Sequence, residues 1–232
     1  MSIYNREQTY IRLLAQREHT VSELAETLFI SQPTVRRDLA VLTQKELVTC
    51  HRGRVRLKTR YADQRIPLFI RDMEQTDAKQ AIARKAVAHV RDGYVVMLDA
   101  STTAYHLLPL LAGFQNLLVI TNGAKTALEA AAMGIRTICT GGEMTPESFS
   151  YVGTDAEAVL RRYNAHVAFF SCRGLSEDGA VTDNSILENA ARRIMLDNAR
   201  ESYLLCDKSK HGTRHLNTLC HVKDLAGVIS ED

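Results

Sequence analysis

Ser31-Gln32-Pro-Thr34-Val-Arg36-Arg37-Asp38 crowds two guanidinium groups, a carboxamide and two hydroxyls into about two helical turns. These are the groups that read nucleic acid. Arg forks onto guanine or a phosphate, and Gln and Thr can contact bases or phosphates. A little further on, His51-Arg52-Gly53-Arg54-Val-Arg56-Leu-Lys58 alternates cations with small or apolar residues. A period of two puts Arg52, Arg54, Arg56 and Lys58 on one side of a strand, a row suited to phosphates. A second group of polar segments recurs through the rest of the chain: Asp99-Ala-Ser101-Thr102-Thr103, Thr121-Asn122-Gly123, Thr140-Gly141-Gly142, Ser171-Cys-Arg173-Gly174 and Asp207-Lys208-Ser-Lys210. Each follows a short run rich in Val, Ile, Leu or Phe. Asp99 can accept from hydroxyls. Ser101, Thr102 and Thr103 stand where a helix would start, so hydroxyls and free amides there can hold an anion. Gly123, Gly141 and Gly142 would let backbone come close to a ligand. Arg173, Lys208 and Lys210 can balance phosphate charge.

The first set needs a helix and a ribbon to carry it. Tyr10, Ile11, Leu13 and Leu14 lie in a helical run from about residue 5 to 17. Thr20-Val-Ser-Glu23 is a capping box that opens a helix to about Leu28. Ser31 is a cap and Pro33 falls in the first turn of a third helix that ends near Leu42. Its Val35, Leu39 and Leu42 form one apolar stripe, which leaves Gln32, Thr34, Arg36, Arg37 and Asp38 on the outward face. Two helices joined by a short turn, followed by two strands that turn near Gly53, make a winged helix-turn-helix domain over residues 1–58. Charge agrees. The chain has 29 Lys+Arg against 27 Asp+Glu, yet its first 60 residues hold 11 against 6. A basic head on a mildly acidic body suits a polyanion partner.

Residues 59–75, with Pro67 and an apolar knot at Leu68-Phe69-Ile70, are a linker. In residues 76–232 Asp77 can cap a helix through Ile82, Ala86 and Val90. Short apolar runs follow at 94–98, 117–120, 137–139, 167–170, 203–206 and 225–229. Helical segments are expected at 103–111, 124–133, 155–163 and 185–199. The alternation predicts an open α/β domain with a parallel sheet covered on both faces. The carboxyl ends of its strands share one rim, where the five polar segments meet.

Composition excludes several classes. With 45% hydrophobic and 24% charged residues the chain is globular. No apolar run spans a bilayer and the amino terminus is not signal-like, which points to the cytoplasm. The five cysteines are odd in number and without a CxxC pair, so they are read as reduced thiols. His211 and His215, with Cys206, Cys220 and His221 near in sequence, suggest a metal site only weakly, because Gly212 breaks the helix that such spacing needs. No metal or cofactor is expected.

Ser31-Gln-Pro-Thr-Val-Arg-Arg-Asp-Leu39, preceded by Arg6 and the Val21–Leu28 helix, resembles the DNA-binding signature of the DeoR family of bacterial transcription regulators. The family wing commonly carries His-Gly-Gly where this chain has His51-Arg52-Gly53. The resemblance extends through Asp99–Thr103, where the family commonly has Asp-Ser-Gly-Thr-Thr, through Thr121-Asn122 and Gly141-Gly142, through Glu188 with Arg192-Arg193 in place of Lys-Arg, and through Asp207–Lys210. It implies an effector domain similar to ribose-5-phosphate isomerase and CoA-transferase folds, a double-stranded DNA operator contacted by Ser31, Gln32, Thr34, Arg36, Arg37 and the His51–Arg56 wing, and a phosphorylated sugar or similar metabolite at the rim. It also implies a repressor of carbohydrate genes that works as a dimer or tetramer. Relatives usually continue for another helix and strand beyond the sixth strand. The isomerase-like domain raises an alternative, a sugar-phosphate isomerase with Asp99, Asp178 or Glu188 as base and Arg192 or Lys210 as the cation over an enediolate. The basic head and the poor fit of Arg to proton exchange favour binding without turnover.

Overall fold

The computed structural model describes residues 6–7, 9–10, 13–14, 17–44, 47–51, 53–57 and 68–232. Two compact units, Met1–Glu74 and Gln75–Asp232, divide the chain. Arg52, Lys58 and the 59–67 part of the linker lie outside the described residues. The apolar knot falls at the start of a short helix, α3 (Leu68–Met73).

The first unit runs β1 (His19–Thr20), α1 (Val21–Leu28), α2 (Gln32–Gln44), β2 (Val48–His51) and β3 (Arg54–Leu57). Both halves of the capping box form: the Glu23 amide donates to Thr20 Oγ1 at 3.2 Å and the Thr20 amide to Glu23 Oε2 at 2.6 Å. Ser31 Oγ accepts from the Thr34 amide, and Pro33 occupies the first turn of α2, where no intrahelical donor is lost. Strands β1, β3 and β2 pair antiparallel, with Val55 opposite both His19 and Cys50. Val55 seals a core shared with Tyr10, Leu24, Val35, Leu39 and Leu42.

Asp38 corrects the sequence expectation. It is 2% exposed, on the inner face of α2, where it completes an i, i+3, i+4, i+7 stripe with Val35, Leu39 and Leu42. Arg6 forks onto it, Nε to Oδ2 at 2.8 Å and Nη2 to Oδ1 at 3.2 Å, and the Tyr10 hydroxyl donates to Oδ2 at 3.2 Å. A buried carboxylate is tolerable on these terms because charge and lone pairs are both met.

Helix α1 ends on Phe29 in the left-handed conformation, φ 54°, with 95% of the residue exposed. A side chain there costs about 1–2 kcal/mol relative to glycine, which most such ends carry. So exposed a ring recovers almost none of that by packing. Phe29→Gly is expected to raise the unfolding free energy of this unit by about 1 kcal/mol in urea melts; an unchanged or lower value would show that the ring is packed in solution.

The second unit is built on six parallel strands: β4 (Val95–Leu98), β5 (Leu118–Thr121), β6 (Arg136–Cys139), β9 (Ala165–Ser171), β12 (Ala199–Leu205) and β14 (Gly227–Ile229). Their order is β14-β12-β9-β4-β5-β6. The chain winds outward from β4 through β5 and β6, then returns to the other side of β4 at β9, so the switch in direction falls between β4 and β9. Crevices open at such a point. Alternate residues feed two cores. Val96 and Leu98 pack with Ile82 and Ala86 of α4 (Thr76–Ala86) and with Leu108 and Leu111 of α6 (Leu108–Leu111), while Met97 and Ile120 pack on the other face with Leu160 of α8 (Gly153–Leu160) and Ile194 of α9 (Ile186–Asn198). Asp77 lies inside the first turn of α4 rather than capping it; the cap is Gln75. The helix expected at 103–111 is two four-residue turns, α5 (Thr102–Tyr105) and α6, and the one expected at 124–133 is α7 (Ala124–Ala132). Two small sheets were not anticipated: a hairpin of β7 (Glu143–Thr145) and β8 (Ser150–Val152), and a sheet of β10 (Gly174–Leu175), β11 (Ala180–Asp183) and β13 (Asn217–His221).

Candidate functional site

On the first unit, the residues outside the core stripe of α2 form a polar face. Ser31, Gln32, Arg36 and Arg37 are exposed and Thr34 is half-buried. Ser31 and Thr34 hydroxyls bond each other at 2.9 Å, and the Gln32 carboxamide reaches Ser22 of α1 at 3.4 Å. Arg36 and Arg37 make no hydrogen bond or ion pair among the described residues. On the ribbon, His51, Arg54 and Arg56 are exposed while Val55 is inward, and Gly53 turns the chain at φ 75°. Arg54 is likewise unpaired among the described residues. Arg56 is engaged, donating to Thr49 Oγ1 at 3.2 Å and lying 4.0 Å from Glu18. Arg36, Arg37 and Arg54 are thus cations without a counter-charge among the described residues. A surface that pays desolvation on contact with a polyanion recovers most from groups of this kind.

On the second unit the five polar segments do share the carboxyl rim of the sheet, but Arg192 organises its centre. This residue of α9 is buried and faces three carboxylates: Nε to Asp99 Oδ2 at 2.8 Å, Nη1 to Asp183 Oδ2 at 2.9 Å and Nη2 to Glu188 Oε2 at 3.1 Å. Burial works against the guanidinium charge and the three carboxylates more than restore it. Asp99 is 1% exposed and also accepts from the Ser101 amide and hydroxyl and from the Ser171 amide. It therefore ties the loop after β4 to β9 and α9, a positioning role. Ser101 Oγ in turn caps α5 by accepting from the Ala104 amide at 3.1 Å. Glu188 Oε1 accepts from Ser148 at 2.6 Å and from Ser150 at 2.9 Å, so the β7–β8 hairpin is held onto α9. Asp183, Ser148 and Ser150 escaped the sequence reading. No strand period offered a signal for the two serines, because Ser148 and Phe149 lie in the turn before β8 with Phe149 at φ 48°.

Lys210 sits further along the rim. Its Nζ donates to Ser171 Oγ at 2.9 Å and lies 3.0 Å from Asp207 Oδ2. Burial pushes the Asp207 carboxyl up, and Lys210, followed by Ser209, brings it below its usual range. Arg173 Nε is 3.7 Å from Asp183, and Lys208 turns outward to Asp232. Thr102 and Thr103 are buried, and Thr121 Oγ1 accepts from the Gly123 amide at 3.0 Å. The expected closeness of glycines to a ligand is partly corrected. A Cβ on Gly142, at φ 107°, would stand 2.8 Å from Val152 O, and one on Gly174 would stand 2.6 Å from Thr213 O. Protein already fills that space. Gly123 abuts Ala100 in the same way, while Gly141 is open.

Among the described residues, two buried polar atoms at the rim lack a partner: Asn122 Oδ1, after β5, and Thr140 Oγ1, after β6. Asn122 Nδ2 is used, donating to Tyr151 O at 3.0 Å, so its oxygen alone is open. A buried acceptor left unpaired costs about 1–3 kcal/mol, which a ligand hydroxyl would relieve. Asn122 follows the strand two places from β9, where Lys210 bonds, a lateral separation of about 10 Å. Among the described residues no group of three or more His, Cys, Asp or Glu is placed to hold a metal ion, and no helix is long and apolar enough to cross a membrane.

Two family models match this chain: a DeoR-like helix-turn-helix domain over residues 6–60 and a DeoR C terminal sensor domain over residues 74–232. The uncharacterized HTH-type transcriptional regulator YulB of Bacillus subtilis (strain 168) is 30% identical over all of this chain and 90% of its own length. The L-fucose operon activator of Escherichia coli (strain K12) is 29% identical over 98% of this chain and 94% of its own. The lactose phosphotransferase system repressor of Staphylococcus aureus (strain N315) is 30% identical over 90% and 84%. Among solved structures, eIF2B delta from Chaetomium thermophilum has a TM-score of 0.52 at 15% identity, covering 71% of this chain and 61% of that one, a likeness of fold alone.

Proposed function

The chain belongs to the DeoR family of DNA-binding transcription regulators, and we propose that it is a repressor of carbohydrate-metabolism genes whose second unit takes a phosphorylated sugar or a similar anionic metabolite. The DNA face is Ser31, Gln32, Thr34, Arg36 and Arg37 at the major groove, with His51, Arg52, Arg54 and Arg56 along the flanking phosphates or the minor groove. Unpaired Arg36 and Arg37, beside a helix stripe wholly given to the core, carry this assignment. The names of the lactose repressor and the fucose activator place two relatives in sugar control, one of each sign. A two-fold oligomer in the cytoplasm, on repeated half-sites, suits such a head.

The metabolite lies along the rim. Its hydroxyls meet Asn122 Oδ1 and Thr140 Oγ1 and its phosphate lies toward Lys210 and Arg173, with Ser101, Thr102, Thr103, Thr121, Gly123, Gly141, Gly142 and Gly174 shaping the loops between and Lys208 at the outer edge. About 10 Å suits a phosphorylated chain of five or six carbons. Arg192 is not the phosphate ligand, because three carboxylates already surround it. The same saturation argues against isomerase turnover. Asp99 and Glu188 spend their lone pairs on Arg192 and on serines, and Asp178 is exposed, held low by Ser176 and Arg214. None is a free base beside a free cation.

The test is a melting screen of the full chain with phosphorylated sugars. A true ligand at a hundred times its dissociation constant should stabilise the unit by about 2.7 kcal/mol. Thr140→Val, which deletes the open hydroxyl at constant shape, should leave the ligand-free protein as stable or up to about 1 kcal/mol more so, and should weaken ligand binding about tenfold. No shift with any phosphorylated sugar, or a valine variant that binds normally, would remove the rim from this role. Multiple turnovers of a sugar phosphate would favour the enzyme.

A further inference from the structure

The ends of β9 and β12 bring two thiols together beside the rim. Ser171 is in parallel register with Leu205, so the residues that follow, Cys172 and Cys206, leave the sheet side by side. Adjacent strands run about 4.8 Å apart, inside the Cα separation of about 4.4–6.8 Å that a disulfide needs. Both side chains are free thiols buried in one apolar cluster with Phe170, Val181 and Leu204, and the Cys206 thiol donates to Asp207 O at 3.7 Å. The contact from Cys206, aided by Lys210 and Arg192, holds the Cys172 thiol below its ordinary range in spite of burial. The same contact, and burial, push Cys206 up. One sulfur is thus prepared to attack and its neighbour keeps a proton to give. Cys220 packs in the same cluster, but burial pushes it up to about 12; Cys50 and Cys139 are exposed and belong to other elements.

We propose that Cys172 and Cys206 are a reversible dithiol–disulfide pair, oxidised by hydrogen peroxide, at the edge of the ligand rim. The Cys172 thiolate attacks one peroxide oxygen and the O–O bond breaks. Cys172 becomes a sulfenic acid, and the departing hydroxide takes up the proton the thiol released, leaving as water. The Cys206 sulfur then attacks the sulfenic sulfur; the S–S bond forms, the S–O bond breaks, and the hydroxyl leaves with the Cys206 proton as a second water. Two electrons pass from the thiol pair to the peroxide, and a dithiol reductant reverses the change. The crosslink fastens together the starts of the Arg173-Gly174 and Asp207–Lys210 loops, so oxidation reaches residues that border the rim.

The full chain carrying Cys50→Ser and Cys139→Ser, which keeps only the buried thiols, tests this. Brief treatment with hydrogen peroxide should remove two thiols per chain, lower the intact mass by two hydrogens and yield a Cys172–Cys206 linked peptide. Dithiothreitol should restore both thiols. In the same background Cys206→Ala should leave Cys172 as a sulfenic acid trapped by a cyclic dione. Three free thiols after treatment, or a linked pair that includes Cys220, would overturn the proposal. The first arm alters neither thiol of the pair, so it holds even if Cys206→Ala folds badly. It requires neither a metabolite nor DNA, so its failure is distinct from a failure of the regulator assignment.

Discussion

Arg192→Met should cost the Gln75–Asp232 unit about 3–5 kcal/mol at neutral pH, the largest loss expected of any single change at the rim. The substitution keeps most of the side-chain volume but leaves Asp99, Asp183 and Glu188 facing one another without the guanidinium between them. The dependence on pH should change sign. In the parent, burial pushes the Asp183 carboxyl up, but Arg192, the Ser185 and Asn184 amides and Arg173 together bring it below its usual value. A depressed carboxylate adds stability above its unfolded pKa of about 3.9, and that stability is lost as pH falls through the folded value. Without Arg192 the burial remains and its chief opponent is gone, so the folded value moves above the unfolded one. The variant should then recover stability relative to the parent as pH falls from about 7 to about 5. Urea melts at the two pH values decide it. A gap of the same size at both would show that the carboxylates find other partners.

Arg37→Ala should lower affinity for the cognate duplex about tenfold or more while leaving the melting temperature unchanged. The fold is spared because the side chain is exposed and has no partner among the described residues. The pattern of the loss tells which part of DNA Arg37 meets. A base contact makes the loss large for cognate and small for random duplex. A phosphate contact weakens both alike and reduces the salt dependence of binding by about one unit of slope. Equal affinity of variant and parent for both duplexes would move the DNA face elsewhere. Asp38→Ala makes the control, since it should lower the melting temperature by stranding Arg6 and the Tyr10 hydroxyl.

The head was legible in the sequence because its signals are local. The Thr20/Glu23 box, Pro33 and Gly53 each act within a few residues of themselves. The six-stranded sheet was legible for a related reason: strands buried on both faces leave unbroken apolar runs. The contents of the rim were harder to read. In the sequence the apolar stripe of α2 puts Asp38 on the outward face and the rim offers Asp99 to ligand hydroxyls; only distant partners, Arg6 and Arg192, make their burial tolerable. The hairpin that delivers Ser148 and Ser150 is short, and its purpose depends on Glu188 far along the chain. Long-range pairing of charges has no periodicity for a sequence to display.

Asp38 has a bearing on engineering. Along Arg36-Arg37-Asp38 the helix turns two cations outward and one anion inward. Adjacent letters thus answer to separate demands, the first two, on the proposed DNA face, to whatever duplex is recognised, the third to the strut from Arg6. Anyone retargeting this head to a new operator can vary Arg36 and Arg37 freely so long as Asp38, Arg6 and Tyr10 travel as one unit. A graft that transplants α2 alone would bring the anion to a host with no cation waiting for it.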